Sequence, residues 1–202
     1  GHPSLKKMFD KRPFYAVARQ SRATTIHRRL ATFVFLLTSF FWWGCGSSSK
    51  DPVDYVDPFN GTDFFGHTFP GATLPYGMVQ LSPDHDVNGW TYAAGYTYAD
   101  SSIIGFSHTH FSGVGMTTGG DVLLMPIVGD KVQTSAGTKE NPDAGYRSSY
   151  KKKDEVAKPG YYSVFLKDPK VKAELTATTR VGVHRYTFPK ARKATILMDI
   201  GH

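Results

Sequence analysis

The sequence predicts an all-β protein, an antiparallel β-sandwich. Three observations lead there. From Val53 onward no long run of apolar residues repeats at the 3.6-residue helical period. Short β-rich runs recur instead at near-regular spacing, separated by Gly, Pro, Asn and Asp. One of them, Val181–Phe188, alternates strictly. Val181, Val183, Arg185 and Thr187 point one way, and Gly182, His184, Tyr186 and Phe188 point the other.

In chain order, residues 1–50 stand apart from that body. The protein carries a formal charge of +7, and residues 1–44 hold all of it, with eight Lys/Arg against one acid, Asp10. The remainder is neutral, sixteen Lys/Arg against sixteen Asp/Glu, so no concentrated positive field is available for nucleic acid. His27-Arg-Arg29 precedes an apolar run from Leu30 to Trp43, then Gly44-Cys45. A basic flank, a short apolar core and a small residue before the cut read as an export signal. The run falls short of the roughly 20 residues a membrane span needs. Cys45 is the only cysteine, which excludes an intrachain disulfide. Its place after Gly44 resembles a lipobox, whose thiol is acylated and becomes the mature N-terminus. Trp42 stands where lipoboxes usually carry Leu. Gly46 to Lys50 then reads as a flexible tether. The expected division is 1–50 leader, lipoprotein signal and tether, and 51–202 sandwich.

The predicted strands are Met78–Leu81, Gly95–Tyr98, Ile103–Ser107, Val122–Val128, Tyr161–Lys167, Val171–Thr178, Val181–Phe188 and Thr195–Ile200. Asp168-Pro-Lys170 reads as the turn between two of them. Gly129–Lys158 reads as a long loop or irregular hairpin, and Lys151–Lys153 within it as solvated. The chain stops at Met198-Asp-Ile-Gly-His202, directly after an apolar strand, which reads as a domain incomplete at its C-terminus.

Chemistry-bearing residues concentrate between Gly61 and Pro126, where glycine, aromatic rings, His and Asp interleave. His108 and His110, at i and i+2, would share one face of a strand and suit a metal, but no third ligand sits at a helpful spacing. Asp84, Asp86 and Asp121 suit either acid–base work or turn capping. Trp90, Tyr92, Tyr96 and Tyr98 suit either a sugar platform or half-buried strand packing. Gly113 to Gly120 lacks the Gly-Lys-Ser/Thr of a phosphate loop. Ser107 and Ser112 lack a nucleophile elbow.

One string of motifs is more specific. Tyr55-Val-Asp-Pro-Phe59, Gly61-Thr62, Gly66-His-Thr-Phe-Pro-Gly-Ala72, Pro75-Tyr-Gly-Met-Val-Gln-Leu-Ser-Pro-Asp84, Gly95-Tyr96, Ile103-Ile-Gly-Phe-Ser-His-Thr-His110, Ser112-Gly113 and Gly120-Asp121 resemble the N-terminal domain of glycoside hydrolase family 92. The likeness runs through most of 53–128 and is looser from 129 to 202. The resemblance implies a calcium-dependent, inverting exo-α-mannosidase acting on mannose-containing glycans. It implies a β-sandwich packed on an (α/α)₆ barrel that holds both catalytic carboxylates and most of the Ca²⁺ site. The barrel lies beyond His202, so no catalytic or metal residue is carried over, and residues 51–202 alone are expected to be inactive. What carries over is the sandwich's share of the substrate cleft, with Trp90 on the leaving-group side. His67, Asp84, His108, His110 and Asp121 fall in matching segments. Thr118 stands where many members carry Asp, which bears on linkage specificity. The expected partners are the glycan, the chain's own catalytic domain and, through Cys45, a membrane. The expected location is the cell envelope, periplasm or outer membrane, of a Bacteroidetes-type cell. The competing reading is a non-catalytic carbohydrate-binding lipoprotein.

Overall fold

The structure is a computed structural model, and it describes residues 50–201 apart from 116–118, 131 and 191–192. Residues 1–49, where the leader and Cys45 are expected, and Thr118 lie outside the described residues. Among the described residues eleven strands run in order: β1 Ala72–Thr73, β2 Gln80–Asp84, β3 Ser102–Ile103, β4 Gly105–Ser107, β5 Leu123–Val128, β6 Ser148–Ser149, β7 Glu155–Lys158, β8 Tyr161–Leu166, β9 Val171–Ala177, β10 Gly182–Thr187 and β11 Ala194–Asp199. The only helical segments among the described residues are 3₁₀ turns. Every strand pair is antiparallel. One sheet runs β1-β2-β4-β5-β11, a second β10-β9-β8-β7, and β3-β6 forms a small ribbon. The expected all-β sandwich is what the chain builds.

The second sheet follows directly from local chemistry. Pro159-Gly160 closes the β7–β8 hairpin with two residues, and Gly160 takes φ 73°, as the third position of a type II turn requires. Asp168-Pro-Lys170 closes β8–β9, and the Asp168 carboxylate accepts from the Ser149 amide at 2.7 Å. In β9, Val171, Ala173, Leu175 and Ala177 turn inward between exposed Lys172 and Thr176. In β10, half-buried His184 and Tyr186 alternate with exposed Val183, Arg185 and Thr187. The core gathers Leu81 and Phe106 from the first sheet with Tyr162, Val164, Leu166, Ala173 and Leu175 from the second.

The first sheet is less regular, and here several expectations give way. Gly95–Tyr98 is not a strand. Gly95 sits at φ 77°, and a Cβ there would come within 2.4 Å of Asp84 Oδ1, so the chain turns tightly past the buried carboxylate. Ile103–Ser107 is split between β3 and β4. A Cβ on Gly105 would lie 2.3 Å from Leu123, so only glycine lets β4 and β5 close together. Strand β5 begins at Leu123, because Val122 takes a positive φ of 56°. The segment Gly129–Lys158 carries β6, β7 and two 3₁₀ turns.

Nor is the lysine run uniformly solvated. Lys152 Nζ lies 4.6–4.8 Å from the ring centroids of Tyr96, Tyr98 and Tyr150. It donates to Tyr96 Oη at 2.8 Å and to Glu155 Oε2 at 3.2 Å. Glu155, 7% exposed, also accepts from Tyr162 Oη at 2.6 Å and Tyr96 Oη at 3.0 Å. Burial lowers the Lys152 pKa, and the Glu155 carboxylate offsets only part of that. His85, fully buried beside them, accepts the Thr97 N–H at Nδ1, so Nε2 is the protonated nitrogen and donates to Tyr150 Oη at 2.9 Å. Burial first, then the Lys152 charge, holds His85 neutral. The Tyr98 N–H donates to Thr62 O at 2.8 Å, which ties this cluster to the Gly61–Phe69 loop.

Candidate functional site

Three loops meet: Gly61–Phe69, the 3₁₀ turn Trp90–Tyr92, and the segment after β4. Gly61 and Gly66 pinch the first loop shut. Thr68 N–H donates to Gly61 O at 3.2 Å, and a Cβ on Gly66 would overlap that carbonyl at 2.0 Å. Inside the pinch Phe64 and His67 are held at φ 51° and 48°. Strain of this kind costs about 1–3 kcal/mol per residue and collects at ligand clamps. The third loop is pinned by Gly113 N–H donating to His67 O at 2.7 Å. Gly115 lies so close to Trp90 that a Cβ would be 2.8 Å from the indole.

The result is an exposed indole on a buried imidazole. Trp90 is 54% exposed and His67 is 8% exposed. Their ring centroids are 4.9 Å apart, with planes at 87°. Phe65, itself exposed, flanks Trp90 at 6.5 Å. Both His67 nitrogens are buried without a hydrogen-bond partner. Leaving a buried polar group unpaired costs about 1–3 kcal/mol, so a ligand hydroxyl that reached it would recover that energy.

The six candidate residues occupy four places. His67 and Trp90 form the pair just described. Asp84 and His110, 1% and 3% exposed, form a buried pair with His110 Nε2 donating to Asp84 Oδ1 at 2.9 Å. Nδ1 of His110 donates to Gln80 O at 2.7 Å. Both ring nitrogens are therefore donors. Burial opposes the charged ring, but the Asp84 charge and these hydrogen bonds outweigh it and raise the His110 pKa. Ser107 Oγ is 3.2 Å from the same Nε2. A base must offer a free lone pair to a hydroxyl, and this one offers none, so Ser107 is not an activated nucleophile. Asp84 also accepts the Ser107 N–H at 2.9 Å, and the group fixes the root of the loop after β4.

His108 diverges from His110 because its ring turns to the second sheet. His108 Nε2 lies 3.1 Å from His184 Nε2. Burial first, then the neighbouring His108, lowers the His184 pKa to about 4. Asp121, exposed, accepts from Thr109 Oγ1 at 2.6 Å and holds a turn. The sequence reading missed Lys152, His85 and His184. Only His184 carried a signal, its inward register beside Tyr186 in an alternating strand.

Calcium takes six to eight oxygen ligands. Among the described residues no three His, Cys, Asp or Glu side chains converge on one point, so these residues do not fit a calcium ion.

A family model described as the glycosyl hydrolase family 92 N-terminal domain matches residues 55–202. A solved family GH92 α-mannosidase from Bacteroides thetaiotaomicron is 44% identical, with a TM-score of 0.74 over 77% of this chain and 21% of that one. A second mannosidase from the same organism, described as inverting, is 28% identical, with a TM-score of 0.57 over 75% of this chain and 20% of that one. An uncharacterized secreted glycosidase from Arthroderma benhamiae is 35% identical over 69% of this chain and 18% of its own length. The present chain thus spans about a fifth of the proteins it matches. By the family match and these likenesses, the chain belongs to glycoside hydrolase family 92 and carries its N-terminal domain.

Proposed function

We propose that the chain is the N-terminal part of an exported, inverting exo-α-mannosidase, and that its three meeting loops form the leaving-group side of the substrate cleft. The observation that carries the reading is His67, with two unpaired buried nitrogens under an exposed tryptophan. A pyranose ring suits that arrangement. Its C–H face packs on the indole while one hydroxyl, donor and acceptor at once, pairs with an imidazole nitrogen. Asp84 and His110 position the loop from below without touching sugar. The general acid and base of an inverting glycosidase stand about 6.5–9.5 Å apart with a water between them. In this reading they and the calcium site belong to parts of the chain outside the described residues, and residues 51–202 alone do not hydrolyse mannosides.

Export is supported by the basic and apolar leader and by a relative that is named as secreted. Acylation of Cys45 would make the anchor. No helix among the described residues is long and apolar enough to cross a membrane.

The test is to follow α-mannobioside hydrolysis by the full-length protein with proton NMR. Mannose released first as the β-anomer supports the reading. Release as the α-anomer refutes inversion. Binding of the disaccharide without any release assigns the protein to the carbohydrate-binding class instead.

A further inference from the structure

We propose that His108 and His184 form a binding site for a zinc-like divalent cation that ties the two sheets together. The two Nε2 atoms lie 3.1 Å apart, with ring centroids 4.9 Å apart and planes tilted by 44°. Two imidazoles sharing a zinc ion at about 2.0–2.1 Å each, with their nitrogens this far apart, would have centroids about 4.8 Å apart. A straight N–H···N hydrogen bond of the same length would set the centroids farther apart, at about 5.4 Å. The observed 4.9 Å is shorter than the straight hydrogen bond and close to the shared-ion value, so an ion bound by both lone pairs fits the pair.

The outer partners match. His108 Nδ1 donates to Val122 O at 2.8 Å, which leaves Nε2 as the lone-pair nitrogen. His184 Nδ1 pairs with Tyr186 Oη at 2.8 Å, the outer hydrogen bond that orients a ligating imidazole. The approach is built into the backbone as well. A Cβ on Gly182 would be 2.7 Å from His108 Cδ2, so glycine is what admits the ring against β10. No third His, Cys, Asp or Glu joins the pair among the described residues, so the other two positions of a tetrahedral ion fall to water. His108 follows β4 in the first sheet and His184 lies in β10, the edge of the second. The ion would therefore tie the edge strand of the second sheet to the first sheet.

The experiment uses the full-length protein, stripped by chelator and held in saturating calcium so that oxygen-rich sites are filled. Zinc alone is titrated by calorimetry, and cobalt(II) alone by visible absorption. One equivalent of zinc and a cobalt d–d band are expected, both lost in H108Q and in H184Q. Unchanged stoichiometry in those variants, or no zinc heat from the unsubstituted protein, overturns the site. Should the glutamine variants fail to fold, Tyr186→Phe decides, since it keeps both ligands. It is expected to weaken zinc binding about tenfold by removing the outer hydrogen bond, and unchanged affinity overturns the proposal.

Discussion

Lys152 Nζ sits 4.8 Å from the centroid of the Tyr96 ring and hydrogen-bonds the hydroxyl of the same residue at 2.8 Å. One ammonium thus serves the face and the edge of a tyrosine and reaches the buried Glu155 carboxylate as well. Lys152→Met would leave that carboxylate with tyrosine donors alone. Breaking a buried pair costs about 3–5 kcal/mol, and the partly exposed lysine brings the expected loss to about 2 kcal/mol. The urea midpoint should fall accordingly. Adding Glu155→Gln should restore part of the loss, because no buried charge then remains. A Lys152→Met protein as stable as the parent would show the cage to be ornamental.

Trp90→Ala should lower kcat/KM on an α-mannobioside roughly tenfold. The lost ring contact is worth on the order of 1 kcal/mol by analogy with aromatic pairs. The fold should survive, since the indole is half exposed. Unchanged kinetics in a folded Trp90→Ala protein would assign the indole to packing.

Gly95→Ala should destabilise by about 2–3 kcal/mol. The position has φ 77°, and the added methyl meets Asp84 Oδ1 at 2.4 Å and His110 at 3.1 Å. Thermal unfolding gives the measure. Gly129→Ala is the control, because it also has a positive φ but nothing within 4 Å. Equal losses at the two sites would mean that backbone strain, and not the Asp84–His110 pair, sets the requirement.

Acid should loosen the outer face of the second sheet. Arg185 grips Glu174 with two hydrogen bonds of 2.8 and 2.7 Å, and Tyr161 and Lys172 add one each. The Arg185, Tyr161 and Lys172 hydrogen bonds, in that order, lower the Glu174 pKa to about 2. A lowered carboxylate pKa stabilises the fold fully above the unfolded value of about 4.3. That contribution disappears as pH falls from there through about 2. Denaturant midpoints at successive pH values should drop across this window in the parent and be flatter in Glu174→Gln. Parallel curves would remove Glu174 from the acid response.

What could be read from the sequence was what local chemistry decides. Val181–Phe188 alternates because β10 has one face in the sandwich, and Asp168-Pro-Lys170 turns because Pro and Asp favour it. The motif string carries the family likeness in short local segments that need no tertiary contact to be legible. Gly95–Tyr98 looked like a strand because its tyrosines have β propensity. Its actual path is set by Asp84 and His110, which are distant in sequence. Lys152 looked solvated because its tyrosines come from residues 96, 98 and 150, and no local pattern announces a cage. His108 and His110 share a spacing but not a destination, since one ring is claimed by Asp84 and the other by a strand 76 residues later.

Strand β11 closes the first sheet by pairing with β5, from Ala194 opposite Val128 to Asp199 opposite Leu123. That register fixes a schedule for the nascent chain. The hairpins β7–β8, β8–β9 and β9–β10 can zip as soon as each emerges, because their partners are neighbours. The free edge of β5 must wait for about 70 further residues, several seconds of synthesis at roughly 5–20 residues per second. The first sheet is therefore the last to be completed, since β1, β2, β4 and β5 can pair early but β11 emerges only after every strand of the second sheet.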